Sequence, residues 1–142
     1  MIETISLWHK RARPTPADAD FNVQLGCHYE EIAEMFDALD AGGDMDFAVV
    51  KSAIKSLADR TKAGHVQHSI TNRVEMLDSL GDQVVTAAGV SHCAGMDMDK
   101  ALRAINHSNW SKFDKDGLPI RNEQGKIIKG PNYMPPVLKD YV

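Results

Sequence analysis

The sequence predicts an all-α fold: an antiparallel bundle of about five helices ending in an irregular C-terminal arm or small hairpin. Three observations predict it. Apolar residues recur at intervals of three and four along the chain, the mark of amphipathic helices. Prolines and glycines fall between those stretches, where helices stop. After Trp110 the period is lost, and FDKDGLPIRNEQGKIIKGPNYMPPVL fills with Gly, Pro and turn residues instead.

The first helix runs from about Ile2 to Lys10, with Ile5, Leu7 and Trp8 as its apolar residues, and Pro14 and Pro16 end it. Thr15 and Pro16 read as the next start, an N-cap hydroxyl followed by proline at the first helical position. The second helix then extends to about Ala41, burying Phe21, Leu25, Ile32, Phe36 and Leu39, until Gly42 and Gly43. Asp44 or Asp46 caps a third, from Phe47 to Ala63, with Val50, Ile54 and Leu57 inward and Gly64 closing it. A fourth, from Ser69 to Ala94, carries Val74, Leu77, Leu80, Val84 and Ala88 on its core side. Asp97 or Asp99 caps a fifth that reaches Trp110.

At 142 residues the chain is expected to be one domain: residues 1–14 an N-terminal helix, 15–110 a helical core, 111–142 an arm. No apolar run approaches the roughly 20 residues that span a bilayer, and MIETISLWHKRARPTP has no secretion-signal core. A cytoplasmic protein with free Cys27 and Cys93 is expected. A net charge of −4 argues against nucleic-acid coating. Charge is uneven, however. The stretch from Ala17 to Asp46 is acidic and holds no Lys or Arg, whereas the arm is mildly basic. That pattern suits a metal site paired with an anion site.

HYEEIAEMF places Glu30, Glu31 and Glu34 within an arc of about 100°. In RVEMLDSLGDQ, Glu75, Asp78 and Asp82 stand at i, i+3 and i+7, one narrow face opposite Leu77, Leu80 and Val84. Such rows are ordinarily solvated surface. Two of them, each bordering an apolar stripe, would repel on close approach unless a hard cation such as Mg²⁺ or Mn²⁺ offset the charge. Neither row offers the Glu-x-x-His pair of a di-iron bundle, so an oxygen-only site is expected. The Cys27-His28 and His92-Cys93 pairs lack zinc-ligand spacing. Lys112 to Glu123 imitates a calcium loop but starts on Lys, so a plain turn at Asp116-Gly117 is expected.

The order EExxE (30–34), ExxD (75–78) and INHSNWSKFDKDGLPIRNEQGKIIKGPNY resembles the MazG-like all-α nucleoside triphosphate pyrophosphohydrolases, over Phe21 to Pro136. The group includes phosphoribosyl-ATP pyrophosphohydrolase and the dimeric dUTPases. The resemblance implies cleavage of a (d)NTP to (d)NMP and diphosphate, with Mg²⁺ held by Glu31, Glu34, Glu75 and Asp78. Glu30 would serve a second ion or orient water, and Asp82 would be an alternative fourth ligand or a support. Asn109, Lys112, Lys126 and Lys129 would meet phosphate or sugar. A homo-oligomer, dimer or tetramer, is implied as well. Purine deoxynucleotides (dGTP, dATP) are the expected substrates, with dUTP, dCTP or phosphoribosyl-ATP as alternatives. The gap from Glu34 to Glu75 is longer than in compact members.

Remaining residues have two readings each. Trp8 is either a base-stacking platform or core, and core is favoured. Gln24 and Asn22 either read a base edge or face solvent. A rival to the enzyme is a non-catalytic helical module binding nucleotides or a partner, with its acids serving solubility.

Overall fold

The computed structural model describes residues 1–123 and 125–142. Among them are five α-helices and one closing 3-10 turn, with no strand, so the fold is all-α. The helices are α1 (Ile2–Ala12), α2 (Asp18–Asp37), α3 (Met45–Lys62), α4 (Arg73–Cys93) and α5 (Met98–Trp110). They group into two compact units. A hairpin unit comprises Thr15–His68 with Arg121–Lys126; a tryptophan unit comprises Met1–Pro14, Ser69–Ile120 and Ile127–Val142.

In the hairpin unit α2 and α3 lie antiparallel. Phe36 meets Phe47 near the turn, with ring centroids 4.9 Å apart, and Gly26 meets Ala58 and Lys62 at the far end. Gly26 is there because the backbones close on it: a Cβ would stand 2.7 Å from Lys62 Cγ and 3.1 Å from the Ala58 carbonyl oxygen. Asp44 caps α3 by accepting from the Phe47 amide at 2.8 Å, as its sequence predicts. The α2 start differs from expectation. The helix begins at Asp18, where Asp20 accepts from the Ala17 amide at 3.0 Å; Thr15 and Pro16 lie before it. It ends at Asp37, so Leu39 falls outside and is exposed, and Val50 on α3 is exposed too.

After α3 the chain is pinned at His68. Its amide donates to Asn22 Oδ1 at 2.6 Å, the Asn22 amide donates back to the His68 carbonyl at 3.4 Å, and the His68 ring meets buried Thr61 Oγ1 at 3.2 Å.

The tryptophan unit packs around Trp8, Ala12 and Phe113, with Ile127 against them. The Trp8 ring stacks on Phe113, 5.7 Å between centroids and 10° between planes. Its indole N–H donates to the Asn109 carbonyl at 2.8 Å, which ties α1 to the end of α5. The expected turn at Asp116-Gly117 forms: Asp114 Oδ1 accepts from the Asp116 and Leu118 amides at 2.9 and 2.8 Å, and Gly117 takes φ +71°. Ser111 Oγ accepts from the Met134 amide at 2.8 Å and holds the arm against α5.

Helix α4 departs most from expectation. Asn72, not Ser69, starts it, accepting from the Val74 and Glu75 amides at 3.1 and 3.3 Å. The stripe expected to lie in the core is in water: Val74 is 78% exposed, Leu77 72% and Val84 51%. Only Ser91, near the C-terminal end, is buried. Among the described residues no helix is long and apolar enough to cross a membrane.

Candidate functional site

Glu30 and Glu34 of the EExxE row sit on the side of α2 turned to α3. Three α3 residues at i, i+4 and i+7 (Lys55, Asp59 and Lys62) run alongside it. Lys62 Nζ meets Glu30 Oε1 at 2.6 Å and Asp59 Oδ1 at 3.2 Å, and its side chain is only 13% exposed. Lys126 comes from the arm and meets the other oxygen, Glu30 Oε2, at 2.8 Å. A small loop aims that lysine. The Lys126 amide donates to Asn122 Oδ1 at 2.9 Å, and the Asn122 amide donates to the Lys126 carbonyl at 3.0 Å.

One carboxylate therefore sits between two ammonium groups. Burial on its own would raise the Glu30 carboxyl, but the hydrogen bonds and charges of Lys126 and Lys62 outweigh it and hold the group below its usual range. Lys62 mirrors this. Burial lowers its pKa, and the bonds to Glu30 and Asp59 raise it by more. Beside the pair a cavity of about 100 Å³ is lined by Glu30, Glu34, Asp37, Lys55 and Asp59, with Ala33 and Ala58 as its floor. The Asp37 carboxyl is held low by the hydrogen bond from Lys51, which pairs with it across the hairpin.

Glu30 is therefore spoken for by lysines. Glu31 and Glu34 are exposed, and Glu34 lines the cavity. Glu75, Asp78 and Asp82 are exposed on α4, in the tryptophan unit, as neighbours along one helix face. The four ligands that the resemblance implies thus divide between the units, two and two. Their chemistry fits a hard cation, since all are carboxylates. Among the described residues, though, no three His, Cys, Asp or Glu side chains come together as a metal-holding group. A cation centre is accordingly carried forward only as a proposal.

Asn109 and Lys112, expected to act together, do lie together: Lys112 Nζ donates to Asn109 Oδ1 at 2.7 Å. Lys129 stands over the Tyr133 ring at 4.8 Å. Trp8 is 8% exposed and stacked on Phe113, so its ring is spent on packing, the favoured of its two readings. Asn22 is likewise spent on His68, whereas Gln24 is exposed. Neither cysteine is in a disulfide.

Models of protein families, curated proteins and solved structures give no match to this chain. Its function rests on the residues alone. Sequence reading missed Lys62 and Asp59, which complete the charged cluster. The signal was present in KSLADRTK, where charges recur at helical spacing, but its partner lies 32 residues earlier in the chain.

Proposed function

We propose that this protein is a divalent-cation-dependent nucleoside triphosphate pyrophosphohydrolase that converts a (d)NTP to (d)NMP and diphosphate. One observation carries the proposal. The arm lysine expected to bind phosphate, Lys126, reaches the acidic row expected to serve the chemistry, 2.8 Å from Glu30. A cavity with both carboxylate and ammonium walls lies beside that contact. In this proposal a triphosphate competes with Glu30 for Lys126 and Lys62: phosphate oxygens take the ammonium groups, and Glu30 is released to accept a proton or a hydrogen bond from water. Glu31 and Glu34, with Glu75 and Asp78, would hold Mg²⁺ or Mn²⁺, with Asp82 in support. When bound, the ion supplies charge neutralisation on phosphate and a more acidic water. Lys112, bonded to Asn109, is a second phosphate contact, and Lys129 a third. Purine deoxynucleotides are the proposed substrates, and a cytoplasmic homo-oligomer is the proposed form.

The test is diphosphate release, read as phosphate after added inorganic pyrophosphatase, across the common NTPs and dNTPs with Mg²⁺ or Mn²⁺. Wild type turns over at least one of them, Glu34→Gln loses activity at least 100-fold, and Lys126→Ala raises KM about tenfold. Intact substrates throughout would sink the proposal.

A second reading is favoured by the exposure of Glu31, Glu34, Glu75, Asp78 and Asp82. It makes the chain a non-catalytic helical module whose acids face water. Mn²⁺ calorimetry separates the two. A metal centre gives saturable binding that both Glu34→Gln and Asp78→Asn abolish, whereas a solvated face gives none.

A further inference from the structure

Of the chain's two indoles, Trp8 is closed into the core of the tryptophan unit and Trp110 is not. Trp110 ends α5 and is 37% exposed. Its ring meets Phe113 with centroids 5.4 Å apart and planes at 78°, an edge-on contact that leaves indole surface to water. Exposure alone says little, because single apolar residues are common on protein surfaces. The neighbours of this indole give it a use.

The backbone keeps winding past the end of α5. The Lys112 amide donates to the Asn109 carbonyl and the Phe113 amide to the Trp110 carbonyl, both at 3.2 Å. Residues 109 and 112 therefore share one side of this turn, and 110 and 113 share the next, about 100° further round. On the first side Lys112 Nζ donates to Asn109 Oδ1 at 2.7 Å, so an ammonium and an amide are held together. On the second side lie the two rings. An aromatic row thus adjoins a cationic, polar one.

A mononucleotide is divided in the same way, into anionic phosphates and a flat base joined by a sugar. An ammonium attracts phosphate as a point charge, and an indole stacks on a base face. Neither row contains a carboxylate. The next acid along the chain, Asp114, is turned into its own loop, where Oδ1 accepts from the Asp116 and Leu118 amides. Phe113 cannot supply the platform itself, since it is 5% exposed and one of its faces is stacked on Trp8. Trp110 is the member of this ring cluster that offers surface to a ligand.

We propose that Trp110 is the base-stacking platform of the nucleotide site and sets a preference for purines over pyrimidines. The assignment rests on the pyrophosphohydrolase reading, in which Lys112 and Asn109 meet phosphate and sugar. Preference follows from area: a two-ring base covers more of an indole than a one-ring base does. Stacking holds substrate and transition state alike, so it belongs in KM and not in kcat.

Two measurements on the full chain test this. In the first, Trp110→Ala raises KM for dGTP about tenfold or more and for dCTP by less, with kcat unchanged, and Trp110→Phe restores most of the loss. Inorganic triphosphate, which has no base, inhibits wild type and Trp110→Ala equally. In the second, α,β-methylene dGTP with Mg²⁺ quenches the tryptophan emission of wild type saturably. Trp110→Phe, in which Trp8 is the remaining indole, shows no such quenching. An unchanged KM in Trp110→Ala overturns the assignment, and so does weakened inhibition by inorganic triphosphate, which marks a structural effect. Absent quenching in wild type, or quenching that persists in Trp110→Phe, overturns it too. If wild type hydrolyses no nucleotide yet the analogue quenches Trp110, the enzyme reading fails and the platform stands. If hydrolysis proceeds without any effect of Trp110, the platform fails and the enzyme reading stands.

Discussion

Glu30 shows how one side chain gathers charges from two distant parts of the chain. Its two oxygens meet Lys62 of α3 at 2.6 Å and Lys126 of the arm at 2.8 Å, neither of which is near it in sequence. Because folding depresses the Glu30 pKa, its contribution to stability is fully present above the usual value of 4.5 and is lost as pH falls through the lower folded value. Lys62 runs the other way. Its folded pKa is raised, so its contribution holds below the usual 10.5 and is lost as pH climbs through the higher folded value. Between those limits the pair should be insensitive to pH. Glu30→Gln should cost about 1 kcal/mol at pH 7 in urea unfolding, a modest figure because the pair is partly solvated, and the deficit should shrink at pH 3. An unchanged deficit at pH 3 would mean that the carboxylate charge is not what holds the lysines.

At the scale of elements, the α2/α3 hairpin depends on a backbone approach that only glycine allows. Gly26→Ala would put a Cβ 2.7 Å from Lys62 Cγ and 3.0 Å from the Lys62 backbone nitrogen, so α3 must back away. We expect a loss of about 1–3 kcal/mol by denaturant titration, accompanied by a weaker Lys62–Glu30 contact because the lysine stem is the first thing displaced. The helices themselves were largely legible. Asp44 and Asp97 cap where a short acceptor before an apolar run says they should, and Gly64 and Gly95 follow the helix ends with φ of +75° and +77°. Thr15-Pro16 misled because Asp20 reaches back to the Ala17 amide and begins the helix two residues later. Asn72 was overlooked in a polar stretch where Ser69 offered the same chemistry. Pattern also announced that α4 has an apolar face, yet periodicity reports only that a face wants covering, never by what. The acidic rows were legible for the same reason, as helix faces. The lysines that occupy Glu30 were not, since long-range contacts leave no local trace.

For the whole molecule, the exposed apolar face of α4 gives the proposed homo-oligomer a consequence for stability. If α4 is covered in the proposed homo-oligomer, dilution should unwind it, and the melting temperature should rise with protein concentration by mass action. Differential scanning calorimetry from a few to several hundred micromolar checks this, and circular dichroism at 222 nm should lose the ellipticity of one long helix at the dilute end. A melting temperature independent of concentration would mean that α4 is stable alone.

The chain has only two indoles, Trp8 and Trp110, and both belong to the unit built on Phe113. Trp8 is sealed against that ring with its N–H satisfied, while Trp110, 37% exposed, touches the same ring edge-on. Intrinsic emission excited at 295 nm is therefore blind to the α2/α3 pair. A red shift in that emission records the loss of one unit while amide absorption follows both, and the gap between the two curves measures how independently the halves of this small protein come apart.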